Sequence, residues 1–152
     1  MKKSIRRSKD SGIVLFYLAG TLFVLLAFAG LAVDLGRAYV VKAHLSKAVD
    51  GAALAAARVI GNGQSAAQTE ANKIFSTNFP NGFLGVNSVQ NPPNLVFQIA
   101  ADGSNQITVS STAVMPTTFM KVIGQPQVNV FSAGQATRRL VDISFVIDKS
   151  GS

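Results

Sequence analysis

The residues that could carry chemistry are few and far apart. At the end of the chain, in VDISFVIDKSGS, an unbroken apolar stretch of the kind a buried parallel strand needs runs into Asp148, Ser150 and Ser152. These are three oxygen-bearing side chains at alternate positions. As a bare pattern they say little, because Ser/Gly-rich termini are commonly just solvated ends. Asp34 and Arg37 stand one helical turn apart, which by itself makes a surface pair contributing about 0.2–0.5 kcal/mol. His44, the single histidine, has no Asp or Glu partner by spacing and reads as a solvated residue without a catalytic role. The chain has no cysteine, which removes thiol nucleophiles, disulfides and thiolate metal sites. No Ser/His/Asp set, glycine-rich phosphate loop or paired carboxylate occurs in a placed context, so an enzyme is not expected.

The elements that must position these residues begin with an apolar run. Over 152 residues the chain is 48% hydrophobic, high for a purely soluble protein. Ile13 to Val33 contains no charge, and at about 1.5 Å rise per residue it crosses a hydrocarbon core of about 30 Å. It is longer than the h-region of a cleaved signal and lacks a clear small-x-small exit, so it is expected to anchor the chain. A prepilin-type cut after Gly12 would place Tyr17, not glutamate, at the fifth position after it. Lys2, Lys3, Arg6, Arg7 and Lys9, set against Asp10, carry more than half of the net charge of +7. That excess keeps the N-terminus cytoplasmic and the remainder outward. With the charge concentrated at one end and no basic cluster interleaved with aromatics, nucleic acid is not an expected partner.

Beyond the apolar run the helical pattern continues as a stalk. Leu35, Ala38, Leu45, Val49, Ala52, Ala56 and Val59 fall near one face, and GNG at residues 61–63 ends the rod. Ala48, Ala52 and Ala56, with the Ala32/Gly36 pair at the lipid exit, leave a small-residue ridge along which another helix or the protein's own head could approach closely. Ser65 and Gln68 are spaced as a capping box for a second, amphipathic helix with Ala67, Ala71, Ile74, Phe75 and Phe79 along one side. After a Pro/Gly/Asn-rich loop the period changes to two. A hairpin is predicted from about Asn94 to Ala100 and Gln106 to Val114, a short helix from about Thr118 to Ile123, and a third strand through QVNVFSAGQATRR. The fold class is therefore α+β: a long N-terminal transmembrane and stalk helix, then a small antiparallel sheet with a packed amphipathic helix. The organisation reads as a basic segment at 1–12, a span at 13–33, a stalk at 34–61, a head at 62–140 and a last strand with its loop at 141–152.

The run GLAVDLGRAY followed at a fixed distance by DGAALAAA resembles the N-terminal module of TadG-like proteins, in the TadE/TadG-like group of Flp pilus assembly in the bacterial tight-adherence system. The segment ITVSSTAVMPTTFMKVIGQPQVNVFSAGQAT is similar to the β-rich part that follows the module there. The resemblance implies an inner-membrane scaffold or adaptor whose partners are other pilus-assembly membrane proteins or pilus subunits, with homo-oligomers through the helix as a further option. It makes Asp34, Arg37, Ala48, Ala52 and Ala56 candidate partner contacts. It also implies that Asp148, Ser150 and Ser152 open a von Willebrand factor A domain, whose Asp-x-Ser-x-Ser motif supplies oxygen ligands for magnesium; this chain holds only that beginning, so no cofactor is expected within it. The alternatives are a pilin-like filament subunit and the N-terminal part of an adhesive A-domain protein.

Overall fold

In the computed structural model the described residues are 11–139 and 146–147. Helix α1 (Ser11–Val59) is one uninterrupted rod, made possible by alanine, leucine and other good helix formers and by the absence of proline. A 3-10 turn at Ile60–Asn62 and Gly63, at φ 103°, reverse the chain into α2 (Gln64–Asn78). The expected capping box does not form. Gly63 occupies the cap position without a side-chain bond, and Ser65 lies inside the helix, its carbonyl accepting the Thr69 hydroxyl.

Four antiparallel strands follow: β1 (Ser88–Val89), β2 (Asn94–Ile99), β3 (Asn105–Pro116) and β4 (Gln127–Arg138). β3 is central. It pairs along its whole length with β4, from Asn105 opposite Arg138 to Pro116 opposite Gln127, while β1 and β2 share its other edge end to end. The period-two pattern sends Ile107, Val109, Ala113 and Met115 of β3, with Val130 and Ala136 of β4, to the face that α1 covers. The other face carries Thr108, Ser110, Thr112, Gln135 and Thr137, with Phe131 exposed among them. The α+β architecture thus stands as the sequence implies, with a long apolar helix, a small antiparallel sheet and a packed second helix.

The stalk half of α1 is not a separate rod below the head, because it is the centre of the head's core. Val41, Leu45, Ala48, Val49, Ala52 and Ala53 are fully buried between the sheet and Ala67, Ala71 and Phe75 of α2, with Phe79 just beyond that helix. Small side chains are what let the backbones close in. At Gly134 of β4 an added Cβ would lie 3.0 Å from the backbone Cα and N of Asp50, so only glycine fits where the strand crosses the helix. Among the described residues no buried side-chain polar atom lacks a partner: Ser132 pairs with Ser46 at 2.8 Å, and Ser111 donates to the Gln90 carbonyl at 2.8 Å.

A candidate docking clasp where the helix leaves the apolar span

The buried stripe of α1 runs from Ala56 back through Ala52, Leu45 and Val41, and continuing by the same three- and four-residue steps it meets Asp34 and then Gly30. Asp34 is 1% exposed, whereas its neighbour Leu35, assigned to the stripe from sequence, is 53% exposed. The stripe is one residue out of phase with the expectation at its N-terminal end. A carboxylate therefore occupies a core position, and burial of that kind demands a set of donors.

The donors come from the connection between β3 and β4. Pro116 ends β3, and the chain turns through a 3-10 helix at Met120–Ile123 before β4. The free backbone N–H groups at the start of that turn point at Asp34. Thr118 N donates to Oδ1 at 2.9 Å and to Oδ2 at 3.2 Å, Phe119 N donates to Oδ2 at 2.7 Å, and Met120 N donates to Oδ2 at 2.8 Å. One carboxylate on the helix thus holds the end of a hairpin more than eighty residues away. Burial alone would raise the Asp34 carboxyl, but the Met120, Thr118 and Phe119 amides, with the Arg37 charge, outweigh it and hold it below its ordinary value of 3.8.

Arg37 completes the clasp. Its guanidinium donates to the Thr118 hydroxyl at 3.1 Å and to the Leu84 carbonyl at 3.0 Å, while one nitrogen stays 4.0 Å from Asp34 Oδ1. Leu84 has left-handed φ 48°, flanked by Gly82 and Gly85 at φ 76° and 78°, so Arg37 ties the α2–β1 loop to the same point as the hairpin end. One helical turn below Asp34, Gly30 is buried against the Phe119 ring, whose Cβ would lie 2.8 Å from a Cβ added at that glycine. Glycine there is what lets the hairpin end lie flat on the helix.

These placements correct the reading of the candidate contacts. Asp34 and Arg37 do meet, yet their main partners are the protein's own loops, and the interaction is carried by backbone donors more than by the ion pair. Ala48, Ala52 and Ala56 are all 0% exposed within the core, so that ridge receives the head and offers no surface to a second chain. The Ala32/Gly36 pair remains exposed. His44 is half-buried against Phe83, ring centroids 4.2 Å apart, instead of solvated. Asp148, Ser150 and Ser152 lie outside the described residues. Of the stretch before them only Val146 and Ile147 are described; they are 93% and 85% exposed and belong to no strand, since no strand pairs with them among the described residues. Among the described residues no group of three His, Cys, Asp or Glu side chains could hold a metal ion.

Spacing alone pairs Asp34 with Arg37 and so hides the clasp. The available signal was the phase of the stripe, which puts Asp34 inside, together with a strand broken by MPTT, which supplies a turn with unsatisfied N–H groups. α1 is also the one helix among the described residues long and apolar enough to cross a membrane; its most apolar 18-residue window has a mean hydropathy of 2.4 and no buried residue. Neither the curated proteins nor the solved structures gave a match to this chain. Residues 12–59, the helix that carries the clasp and most of the seam beneath the head, match the family model described as Putative Flp pilus-assembly TadE/G-like.

Proposed function

We propose that the protein is a membrane-anchored scaffold or adaptor of Tad/Flp pilus assembly, its α+β head held at the outer face of a bacterial inner membrane and its N-terminus in the cytoplasm. The observation that carries this reading is the coincidence of the TadE/G-like match with the spine of the fold: the matched helix supplies both the exposed apolar half and the centre of the head's core. The cationic residues Lys2, Lys3, Arg6, Arg7 and Lys9 before the span support the orientation. Its partners are other pilus-assembly membrane proteins or pilus subunits, reached through surfaces other than the buried alanine ridge. Deleting the gene should abolish surface pili, with restoration by the wild-type copy, as seen by electron microscopy of shed and attached filaments. Normal piliation in the deletion strain would refute the role.

A pilin-like subunit is the second reading, favoured by the same exposed apolar half, which a fibre core would bury as readily as lipid. The mass of the native N-terminus separates the two, since a subunit cut after Gly12 loses its basic leader and a scaffold keeps it.

A further inference from the structure

We propose that the hairpin end between β3 and β4 is a second membrane contact: residues 118–124 dip into the acyl region of the bilayer beside the spanning helix, and Asp34 is the group that makes this possible. The inference rests on the reading of Ile13–Val33 as a membrane span.

Position supplies the first argument. Phe119 packs on Gly30, three residues inside Val33 and therefore about 4.5 Å below the end of the span at 1.5 Å per residue. Val122 and Ile123 line an apolar groove with Phe23, Ala27 and Leu31 of the helix. Ala27 is six residues inside Val33, about 9 Å down the axis. An apolar element buried about 5–10 Å past the headgroup boundary is typical of interfacial membrane contacts. A hairpin end fixed at that depth has lipid as its surroundings once the helix beside it is in lipid.

Surface chemistry supplies the second. Val122 and Ile123 are 83% and 72% exposed, and Phe119 is 46% exposed, so the side of the turn away from the helix is apolar and uncovered. It continues the apolar surface of the span instead of forming an isolated patch. Lys121 is the one charge on the turn, and its four-carbon stem lets the ammonium reach back to phosphate level.

The backbone supplies the third. In hydrocarbon an unpaired N–H is costly, and irregular chain is tolerated only where its polar groups are satisfied by the protein. Here the amides of Thr118, Phe119 and Met120 are taken by Asp34. Those of Val122, Gly124 and Gln125 bond to the carbonyls of Phe119, Lys121 and Met120, and Thr117 N to that of Pro126. Seven amides of the connection are thus satisfied by the protein itself, which lowers the cost of placing this irregular stretch in hydrocarbon. The occupant of the groove is accordingly acyl chain, and the head is held against the membrane at two points.

The absence of native cysteine makes the test direct. The full chain is purified with a single cysteine at Val122, or independently at Ile123, carrying an environment-sensitive fluorophore, and reconstituted in phosphatidylcholine/phosphatidylglycerol vesicles. A label at Ile99, 78% exposed on β2, reports solvent, and one at Leu18, within the span, reports lipid. The expected result is a blue-shifted emission at 122 and 123, quenching by nitroxides on the acyl chains, loss of iodide quenching relative to 99, and no change when lipid is added in excess over protein. Emission and iodide access at 122 and 123 equal to those at 99, with 18 quenched from lipid, would overturn the hairpin insertion while leaving the span standing. Shielding that vanishes on lipid dilution would overturn it in favour of a second copy of the chain. A label at 18 in water would remove the span and the insertion together.

Discussion

The carboxylate of Asp34 does work that neither lysine nor an amide could do at that position. Three N–H donors converge on two oxygens that carry a full charge, and charge-assisted bonds of this kind are stronger than neutral ones. In Asp34→Asn one oxygen is replaced by an NH2 group that faces the same donors. The expected outcome is a melting temperature of the full chain in detergent lowered by about 5–10 °C, with new proteolytic cleavage near Lys121. Arg37→Met, which leaves the backbone bonds intact, should lower it less; an equal loss would place the clasp's strength in the ion pair. Two carboxylates, Asp34 and Asp102, are held below the ordinary 3.8. At Asp102 the hydroxyl and backbone N–H of Ser104 are the chief causes, with Arg139 adding its charge from 2.8 Å. Because both folded-state values lie below the unfolded one, their contribution is present in full above the unfolded value and is lost as pH falls through the lowered ones. Melting temperature should therefore hold steady from pH 7 to about 5 and decline as the medium becomes more acid than 3.8. Asp34→Asn should flatten that acid decline in part, and an unaltered decline would mean that the Asp34 proton is not one of those involved.

Among the elements, what could be read in the sequence was decided by whether the information was local. The hairpin at Asp102 and Gly103, the third strand and α2 follow from turn chemistry and from a period of two or of 3.6, and they form close to the expected bounds. The role of the alanine ridge was not legible, because small residues permit close approach without naming what approaches. The head claims it: β4 crosses the same helix closely at Asp50 through Gly134, and Ala48, Ala52 and Ala56 are fully buried. The clasp was illegible for a related reason: its donors are backbone N–H groups, which carry no sequence signature until the turn that frees them has been placed. This assignment of the ridge predicts a stability effect and not a binding effect. Ala52→Leu, and Gly134→Val in the tightest crossing, should each cost about 1–3 kcal/mol by overpacking in urea unfolding of the micelle-bound chain. Leu54→Ala, on the 66% exposed side of the same helix, should stay within about 0.5 kcal/mol. Equal stability for Ala52→Leu and wild type would show that the seam is loose enough to admit another helix.

At the scale of the molecule, α1 has two solvents and a single course. Its first half presents Leu, Phe and Val outward at every angle, while its second half buries Val41, Leu45 and Val49 in the head and leaves the rest of its circumference exposed, Val40 and Leu54 included. The head's core depends on it: among the described residues close to half of the buried apolar side chains belong to α1, and it is α1 that covers the sheet's inner face while α2 packs mainly along the helix. A sheet of this size with one short helix buries too little apolar surface to offset the loss of chain entropy. A chain of residues 62–139 should thus be unfolded, without a cooperative thermal transition by circular dichroism and with collapsed amide proton dispersion. A chain of residues 34–139 should fold, since it retains Asp34, Arg37 and the whole buried stripe above them. It should also self-associate, because cutting away residues 13–33 strips Phe119, Val122 and Ile123 of the helix they line while leaving them exposed. Val122→Ser with Ile123→Ser in that shorter chain should return it to a monomer by sedimentation without lowering its melting temperature, as these side chains contribute nothing to the core. Cooperative folding of 62–139 alone would show instead that the helix is only a tether, and that anchor and head are independent parts.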